Sequence, residues 1–282
     1  MKRFLNYLRV HNRLKDFGFF SFEWYPFDNV CKPPIGQLIE HTDMMKKAFD
    51  RLDKEGVPRD IPWIISEYGF SAFAGKAEVE LPSALLNTEI VAQFLTFGGQ
   101  TAYFYGLEPN EPISEMRCGK PEMQWGNLMM IQAGPDNKAK WRLPAYYGAK
   151  MLQEEWAEPT KAPHQLFRTT VLEGDKVVND VTAYAIHRPD NRWAVMILNK
   201  NSDSIKLEEV QFNKIGAERV DWNEPIDVIQ YSPRQYTWRS NGDDGHPVRS
   251  NPPEYIQLHE GMKSGLVLPP LFLTVIRSTI LH

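Results

Sequence analysis

The chain has 282 residues, of which 42% are hydrophobic and 24% charged, and its formal net charge is −4. This composition is ordinary for a globular protein and excludes a largely disordered chain. No apolar run approaches the roughly 18 residues of a membrane-spanning helix. The negative charge, without any basic stripe, argues against nucleic acid as a partner. The length predicts one or two domains.

The N-terminal segment is predicted to form a helix and then a strand. Residues 1–14 place apolar side chains among Lys, Arg and Asn, as in an amphipathic helix packed on a sheet. The run from Phe17 to Pro26 is almost wholly aromatic and apolar until Glu23 and Tyr25, and Pro26 ends the strand. The sequence therefore predicts a strand that presents polar groups at its C-terminal end.

The segment from Ile61 to Phe70 carries the strongest indication of function. Its apolar, β-branched run stops at Glu67, which is followed by an aromatic residue and a glycine. A parallel strand covered on both faces has such a continuous hydrophobic run, and barrel enzymes place their reacting groups where these strands end. Glu67 is therefore a candidate reacting carboxylate, although a solvated acid or the partner of a neighbouring arginine would give the same pattern.

Helices and one further strand flank this segment. Residues 35–55 have apolar side chains at helical spacing, and Gly56 is placed to end the helix. A second helix is predicted to begin at Pro82 and to stop at the pair Gly98-Gly99. Residues 101–106 form a third strand-like run. This alternation predicts a parallel sheet with crossover helices.

A long loop over residues 107–143 is predicted next. Loops of this length in a compact domain are usually functional or disordered. The loop contains Trp125 and Asn127, and its aromatic content favours function. A helix over residues 144–156 follows, and prolines then mark a linker.

From about residue 160 the apolar pattern changes to a period of two residues. Residues 181–186 and 193–198 are predicted to form a hairpin through the turn Pro189-Asp190-Asn191. Further short strands are predicted over 205–212, 226–236, 255–258 and 272–276. We therefore predict an α/β domain over residues 1–159 and an antiparallel β-sandwich over residues 160–282.

The chain has two cysteines, Cys31 and Cys118, which form no metal-binding motif and no disulfide framework. Both fall just after predicted strands, at the same end of the fold. The sequence therefore leaves two alternatives, a single disulfide bridge or two free thiols.

Three of these features resemble the clan A (β/α)8 retaining glycoside hydrolases, which include cellulases, xylosidases and arabinofuranosidases. The run Ile64-Ile65-Ser66-Glu67-Tyr68-Gly69 is similar to the context of the family nucleophile at the end of strand seven, and Tyr25 in Phe22-Glu23-Trp24-Tyr25-Pro26 takes the position of the family tyrosine at the end of strand six. A barrel followed by a β-sandwich ending like residues 265–276 is similar to the xylosidase and arabinofuranosidase members. The resemblance implies the C-terminal part of a TIM barrel, about three strand-helix units, followed by a sandwich.

The resemblance also implies site roles. Glu67 would be the nucleophile and Tyr25 its hydrogen-bond donor, while the general acid/base would lie outside this chain. Glu23 replaces the family histidine, and Tyr103, Phe104 and Tyr105 stand where many members carry a tryptophan. Either Glu23 or Glu108 is an alternative source of the missing acid. Candidate sugar contacts are Glu23, Tyr68, Tyr105, Trp125 and Asn127.

The expected partner is a carbohydrate substrate, with no metal and no cofactor. A missing N-terminal barrel half or a second copy of the chain is expected to complete the barrel. The start of the chain lacks the features of a signal peptide, and a secreted or periplasmic location is expected if a signal lies upstream. Two other hypotheses remain open: a non-catalytic carbohydrate-binding or inactive fragment of such an enzyme, and an unrelated α/β protein with an open sheet.

Overall fold

The computed structural model describes residues 1–113, 118–119, 129–212, 222–240, 244–260, 262 and 265–279. The helices are α1 (Lys2–Val10), α2 (Pro34–Glu55), α3 (Lys76–Val79), α4 (Leu81–Thr96) and α5 (Pro144–Lys150), with a 3-10 helix at Leu14–Asp16 and a π-helical turn at Met151–Trp156. The strands are β1 (Phe20–Trp24), β2 (Trp63–Tyr68), β3 (Thr101–Phe104), β4 (Ile131–Ala133), β5 (Ala139–Arg142), β6 (Gln165–Phe167), β7 (Leu172–Glu173), β8 (Lys176–Val177), β9 (Val181–His187), β10 (Trp193–Asn199), β11 (Ile205–Leu207), β12 (Ile226–Tyr231), β13 (Tyr236–Arg239), β14 (His246–Ser250), β15 (Glu254–Leu258), β16 (Leu266–Leu268) and β17 (Phe272–Ser278).

The first half of the chain forms a three-stranded parallel sheet in the order β1-β2-β3. Helix α2 connects β1 to β2, and α3 and α4 connect β2 to β3, as the alternation of patterns predicts. Gly56 ends α2 with φ of 83°, a left-handed conformation that glycine adopts without steric cost. The predicted helix over residues 1–14 is shorter in the structure, because α1 ends at Val10.

The predicted loop over residues 107–143 is partly wrong, because it contains the antiparallel hairpin β4–β5. Backbone hydrogen bonds join this hairpin to the segment after β3, since the amide of Asn110 donates to Ile131 and that of Ala133 donates to Asn110. Strands of three and four residues carry too short a pattern to be recognised in the sequence. The hairpin therefore extends the structure beyond the C-terminal end of β3.

The second half is dominated by a six-stranded antiparallel sheet in the order β15-β12-β17-β10-β9-β6. The predicted hairpin of residues 181–198 is confirmed as β9–β10, with Asn191 in its turn at φ of 62°. The single strand predicted over 226–236 is wrong. The chain turns at Ser232, whose amide donates to Gln235, and β12 and β13 are separate strands.

Both faces of the six-stranded sheet are buried at its central strands, which is why β12 is buried at all six positions. One face packs with α4, α5 and the π-helical turn in the same core as the parallel sheet, and Trp156 donates its indole N–H to the carbonyl of Tyr184. The other face is covered by residues that include Trp222, Leu266 and Leu268. No helix among the described residues is long and apolar enough to cross a membrane.

Candidate active site

Glu67 lies at the end of β2 because that strand contains a bulge. Strands β1 and β2 are in parallel register from Phe20 opposite Trp63 to Phe22 opposite Ile65, but Glu23 is then opposite Glu67. Strand β2 therefore has one more residue than its neighbour at this point, and its pairing with β3 shifts at the same place. A bulge next to a functional site changes the direction of the side chains that follow it.

The bulge changes which face of the sheet Glu67 occupies. Side chains alternate between the faces of a strand, and Trp63 and Ile65 are buried on the helix side. Without the extra residue, Glu67 would share that buried face. Instead Ser66 is exposed, Glu67 is half-buried and Tyr68 takes the buried position.

Tyr25, just beyond the end of β1, donates its hydroxyl hydrogen bond to Glu67 Oε2 at 3.0 Å. Burial raises the pKa of Tyr25 well above its ordinary value, and the hydrogen bond to Glu67 and the charges of Glu67 and Glu23 act in the same direction. The phenol therefore stays protonated and remains a donor. Within the described residues, Glu67 Oε1 has no hydrogen bond.

Glu23 and Tyr105 lie around the same pair. Glu23 is exposed, and no cation of the described segments forms an ion pair with it. Tyr105 is 49% exposed and directly follows β3, where its amide donates to the carbonyl of Tyr68 at 3.2 Å. The structure thus groups Glu67, Tyr25, Glu23 and Tyr105 at the C-terminal ends of β1, β2 and β3.

The other predicted site residues are placed differently. The ring of Tyr68 is buried and packs edge-on against Phe104, with 5.5 Å between the ring centroids. This burial puts Tyr68 in the core rather than on a sugar-binding surface. Glu108 is exposed beyond the end of β3. Trp125 and Asn127 lie outside the described residues.

The structure contains a disulfide between Cys31 and Cys118, with 5.5 Å between their Cα atoms. The sequence left open a disulfide bridge or two free thiols, and the structure contains the bridge. Cys31 lies between β1 and α2, and Cys118 lies between β3 and β4. The bridge therefore joins the segments that follow the two strands on either side of β2, at the end of the sheet where Glu67 lies.

Sequence reasoning missed the side chains that hold the end of β1. Trp24 donates its indole N–H to His41 Nε2 of α2 at 3.0 Å, and His41 in turn faces Glu89 of α4. The only sequence signal is a charged or polar residue at an apolar helix position, and it does not identify a partner.

Within the described residues, no group of three or more His, Cys, Asp or Glu side chains could hold a metal ion.

No protein-family model matches this sequence, and neither does any curated protein. Solved structures with a similar fold include a bifunctional glucanase-xylanase from a metagenome library, with a TM-score of 0.55 and 15% identity over 99% of this chain. A family 44 xyloglucanase from Paenibacillus polymyxa has a TM-score of 0.55 and 12% identity over 99% of this chain. A GH51 arabinofuranosidase from Xanthomonas axonopodis pv. citri has a TM-score of 0.52 and 13% identity over 96%.

This chain spans about half the length of those proteins, since the matches cover 47%, 50% and 55% of their chains. At such identities the similarity shows the fold alone. The fold is thus a mixed α/β arrangement like that of part of several glycoside hydrolases.

Proposed function

We propose that this chain carries the nucleophile half of a retaining glycoside hydrolase site, with Glu67 as the nucleophile. The observation that carries the proposal is the 3.0 Å hydrogen bond from Tyr25 to Glu67 Oε2 at the C-terminal ends of adjacent parallel strands. Two residues that are 42 positions apart in the sequence meet where barrel enzymes place their reacting groups. In the proposed layout, β1, β2 and β3 are strands six, seven and eight of a (β/α)8 barrel, followed by a β-sandwich.

The proposed reaction uses Glu67 as an ionised carboxylate. In the first step Oε1 forms a bond to the anomeric carbon, the bond from that carbon to the leaving oxygen breaks, and an acid protonates the leaving oxygen. In the second step water attacks the same carbon, loses its proton to the former acid, and releases Glu67. Tyr25 would hold Oε2 throughout, which leaves the other oxygen directed at the sugar.

We propose that the general acid/base lies outside this chain. A retaining enzyme needs a second carboxyl group about 5 to 5.5 Å from the nucleophile. The glycosidases of similar fold are about twice as long as this chain, so a second polypeptide segment could supply that group. Glu23 is better suited to bind a sugar hydroxyl, because it is exposed and lies directly opposite Glu67.

The proposed substrates are O-glycosides of plant-type or bacterial polysaccharides or oligosaccharides. The solved proteins of similar fold are named for action on arabinofuranosides, xyloglucan, or glucan and xylan. Tyr105 is proposed to contact the sugar, since an exposed aromatic ring at the C-terminal end of the parallel sheet offers a face for stacking. Trp125 and Asn127 remain proposed sugar contacts on the sequence argument alone.

The experiment that tests the proposal uses dinitrophenyl glycosides of xylose, arabinofuranose and glucose. Their leaving group needs no protonation, so the first step, which releases dinitrophenol, does not depend on an acid elsewhere. The chain should release dinitrophenol, and Glu67→Gln should lower that rate by at least 1,000-fold, on the order of 4 kcal/mol of transition-state stabilisation. Glu173→Gln, at an exposed position of β7, is the matched control and should leave the rate unchanged.

Isothermal titration with xylo- and gluco-oligosaccharides, followed for hydrolysis in the same tube, completes the test. Binding by the wild-type chain without dinitrophenol release from any of the glycosides would contradict the proposed catalytic role. That outcome would favour a non-catalytic carbohydrate-binding fragment.

A further inference from the structure

A second polar cluster is buried behind the candidate site. We define this buried cluster as Trp24, His41, Glu89, Thr182 and Lys200. The side chains of His41, Glu89 and Lys200 are each completely buried. Three titratable groups without contact to water are costly to bury unless each is paired and hydrogen-bonded.

Glu89 is the centre of the buried cluster. Its Oε1 accepts from Lys200 Nζ at 2.7 Å, from Thr182 Oγ1 at 2.7 Å and from the hydroxyl of Tyr184 at 3.2 Å. Although burial alone would raise the pKa of Glu89, Lys200 and His41 lower it to about 2. Glu89 is therefore a carboxylate, and it accepts from two donors of β9 and from Lys200, the residue that follows β10.

His41 connects this carboxylate to β1. Its Nε2 accepts the indole N–H of Trp24 at 3.0 Å, so its proton is on Nδ1, which faces Glu89 Oε2 at 3.5 Å in a polar contact that lacks hydrogen-bond geometry. Burial lowers the pKa of His41 below its ordinary value, which keeps the ring neutral and this tautomer fixed. A continuous series of polar contacts thus runs from Lys200 through Glu89 and His41 to Trp24.

Trp24 is the last residue of β1, and the next residue is Tyr25, which holds Glu67. We infer that Lys200, Glu89 and His41 are positioning residues that orient Tyr25, and through it the Glu67 carboxylate, by fixing the indole of Trp24. The antiparallel part of the chain would therefore contribute to the geometry of the site and would not be a separable module. The expected effect on catalysis rests on the proposed function, whereas the expected effect on the orientation of Tyr25 does not.

The buried cluster contains directional contacts that a purely stabilising contact would not need. A buried ion pair adds little stability over apolar side chains of the same volume, whereas its hydrogen bonds are directional. Every contact in the series joins a different pair of segments: the residue after β10 to α4, α4 to α2, and α2 to β1. Such a series specifies the orientation of Trp24 more narrowly than apolar packing alone would.

The test compares three variants with the wild-type chain. His41→Phe removes both contacts of the ring, while His41→Gln retains an acceptor for Trp24 and a donor for Glu89. The double variant E89Q/K200M removes the buried charges together, which avoids an uncompensated ion in the core. The matched control is K46M/D50N, which removes an exposed ion pair of 2.8 Å on the same helix α2.

Two measurements are made on folded protein. The first is kcat and KM for the best dinitrophenyl glycoside, and the second is the NMR signals of the Trp24 indole N–H and the Tyr25 ring. We expect His41→Phe and E89Q/K200M to lower kcat by tenfold or more with KM within twofold, and to shift both sets of signals. We expect His41→Gln to restore most of kcat and the control variant to change neither measurement.

The outcomes separate this inference from the proposed function. If the wild-type chain hydrolyses no glycoside, the proposed function fails, and the NMR signals alone decide the inference. Unchanged Tyr25 signals in folded His41→Phe and E89Q/K200M would overturn it. A change in melting temperature with kcat and the Tyr25 signals unchanged would also overturn it, because the cluster would then only stabilise the fold.

Discussion

Glu23 and Glu67 lie directly opposite each other in neighbouring parallel strands, and they do so because β2 has one extra residue before Glu67. The same extra residue brings Glu67 to the half-buried face, where it meets Tyr25. The placement of the proposed nucleophile therefore depends on the local geometry of one strand. The predictions below follow from this geometry and from the contacts around it.

Replacing Tyr25 by Phe should slow hydrolysis of an activated glycoside by about 10- to 100-fold. The substitution removes the hydrogen bond to Glu67 Oε2, and a hydrogen bond to a charged group is worth about 1.5 to 3 kcal/mol. The melting temperature should change little, because Tyr25 is only half-buried. The measurement is kcat and KM of both proteins, and an unchanged kcat would show that Tyr25 does not orient the carboxylate.

Replacing Glu23 by Gln should weaken sugar binding by about tenfold or more without unfolding the protein. Glu23 is exposed and forms no ion pair with any described residue, so folding does not depend on its charge. A hydrogen bond from a sugar hydroxyl to a carboxylate is stronger than one to a neutral amide. Isothermal titration with xylo- and gluco-oligosaccharides measures the affinity, and equal affinities would remove Glu23 from the proposed sugar contacts.

Removing the disulfide should lower the free energy of unfolding by about 4 kcal/mol. Cys31 and Cys118 are separated by 87 positions, and closing a loop of that length in the unfolded chain accounts for most of this value. The variant C31S/C118S and the wild-type chain with and without a reducing agent are compared by urea unfolding. Equal unfolding midpoints in all samples would contradict the prediction.

Acid should destabilise the wild-type chain more than the variant E89Q/K200M. Despite the opposing effect of burial, Lys200 and His41 lower the pKa of Glu89 from 4.5 to about 2, so the folded state binds fewer protons than the unfolded state in this range. Stability is then fully present above about pH 4.5 and is lost as the pH falls towards 2, by on the order of 3 kcal/mol.

Burial also lowers the pKa of His41, so the unfolded state binds more protons below the ordinary value of 6.5, but both proteins retain His41 and this burial acts in both. Hydrogen bonds from Tyr255 and Arg192 outweigh burial and lower the pKa of Asp227 to about 2, but this group is present in both proteins and its effect cancels in the comparison. Urea unfolding at several pH values between about 7 and 3 measures the difference. Parallel pH profiles of the two proteins would contradict the assigned charge of Glu89.

Several features of the fold could be predicted from the sequence because their signals are local. The continuous apolar run before Glu67 indicated a buried parallel strand, and β2 is one. Gly56 indicated the end of α2, and the turn Pro189-Asp190-Asn191 indicated the β9–β10 hairpin. Each of these signals lies within the few residues whose conformation it describes.

The features that could not be predicted depend on partners distant in the sequence. The sequence around Ser66 does not predict a bulge, because a bulge is defined by the pairing of β2 with β1 and β3. The burial of Lys200 likewise depends on Glu89, which lies more than 100 positions away and supplies the opposite charge. The burial of the Tyr68 ring follows from the same bulge, because the extra residue moves Tyr68 to the buried face and Glu67 to the opposite face.

The central claim is tested most directly by trapping the nucleophile. A 2-deoxy-2-fluoro dinitrophenyl glycoside forms a long-lived ester with the attacking carboxylate, because the fluorine slows both steps whereas the activated leaving group restores the rate of the first step alone. The account predicts that the labelled chain gains the mass of one fluorosugar, that peptide mapping locates it on Glu67, and that Glu67→Gln is not labelled. Labelling of another carboxylate while Glu67 stays unmodified would contradict the account.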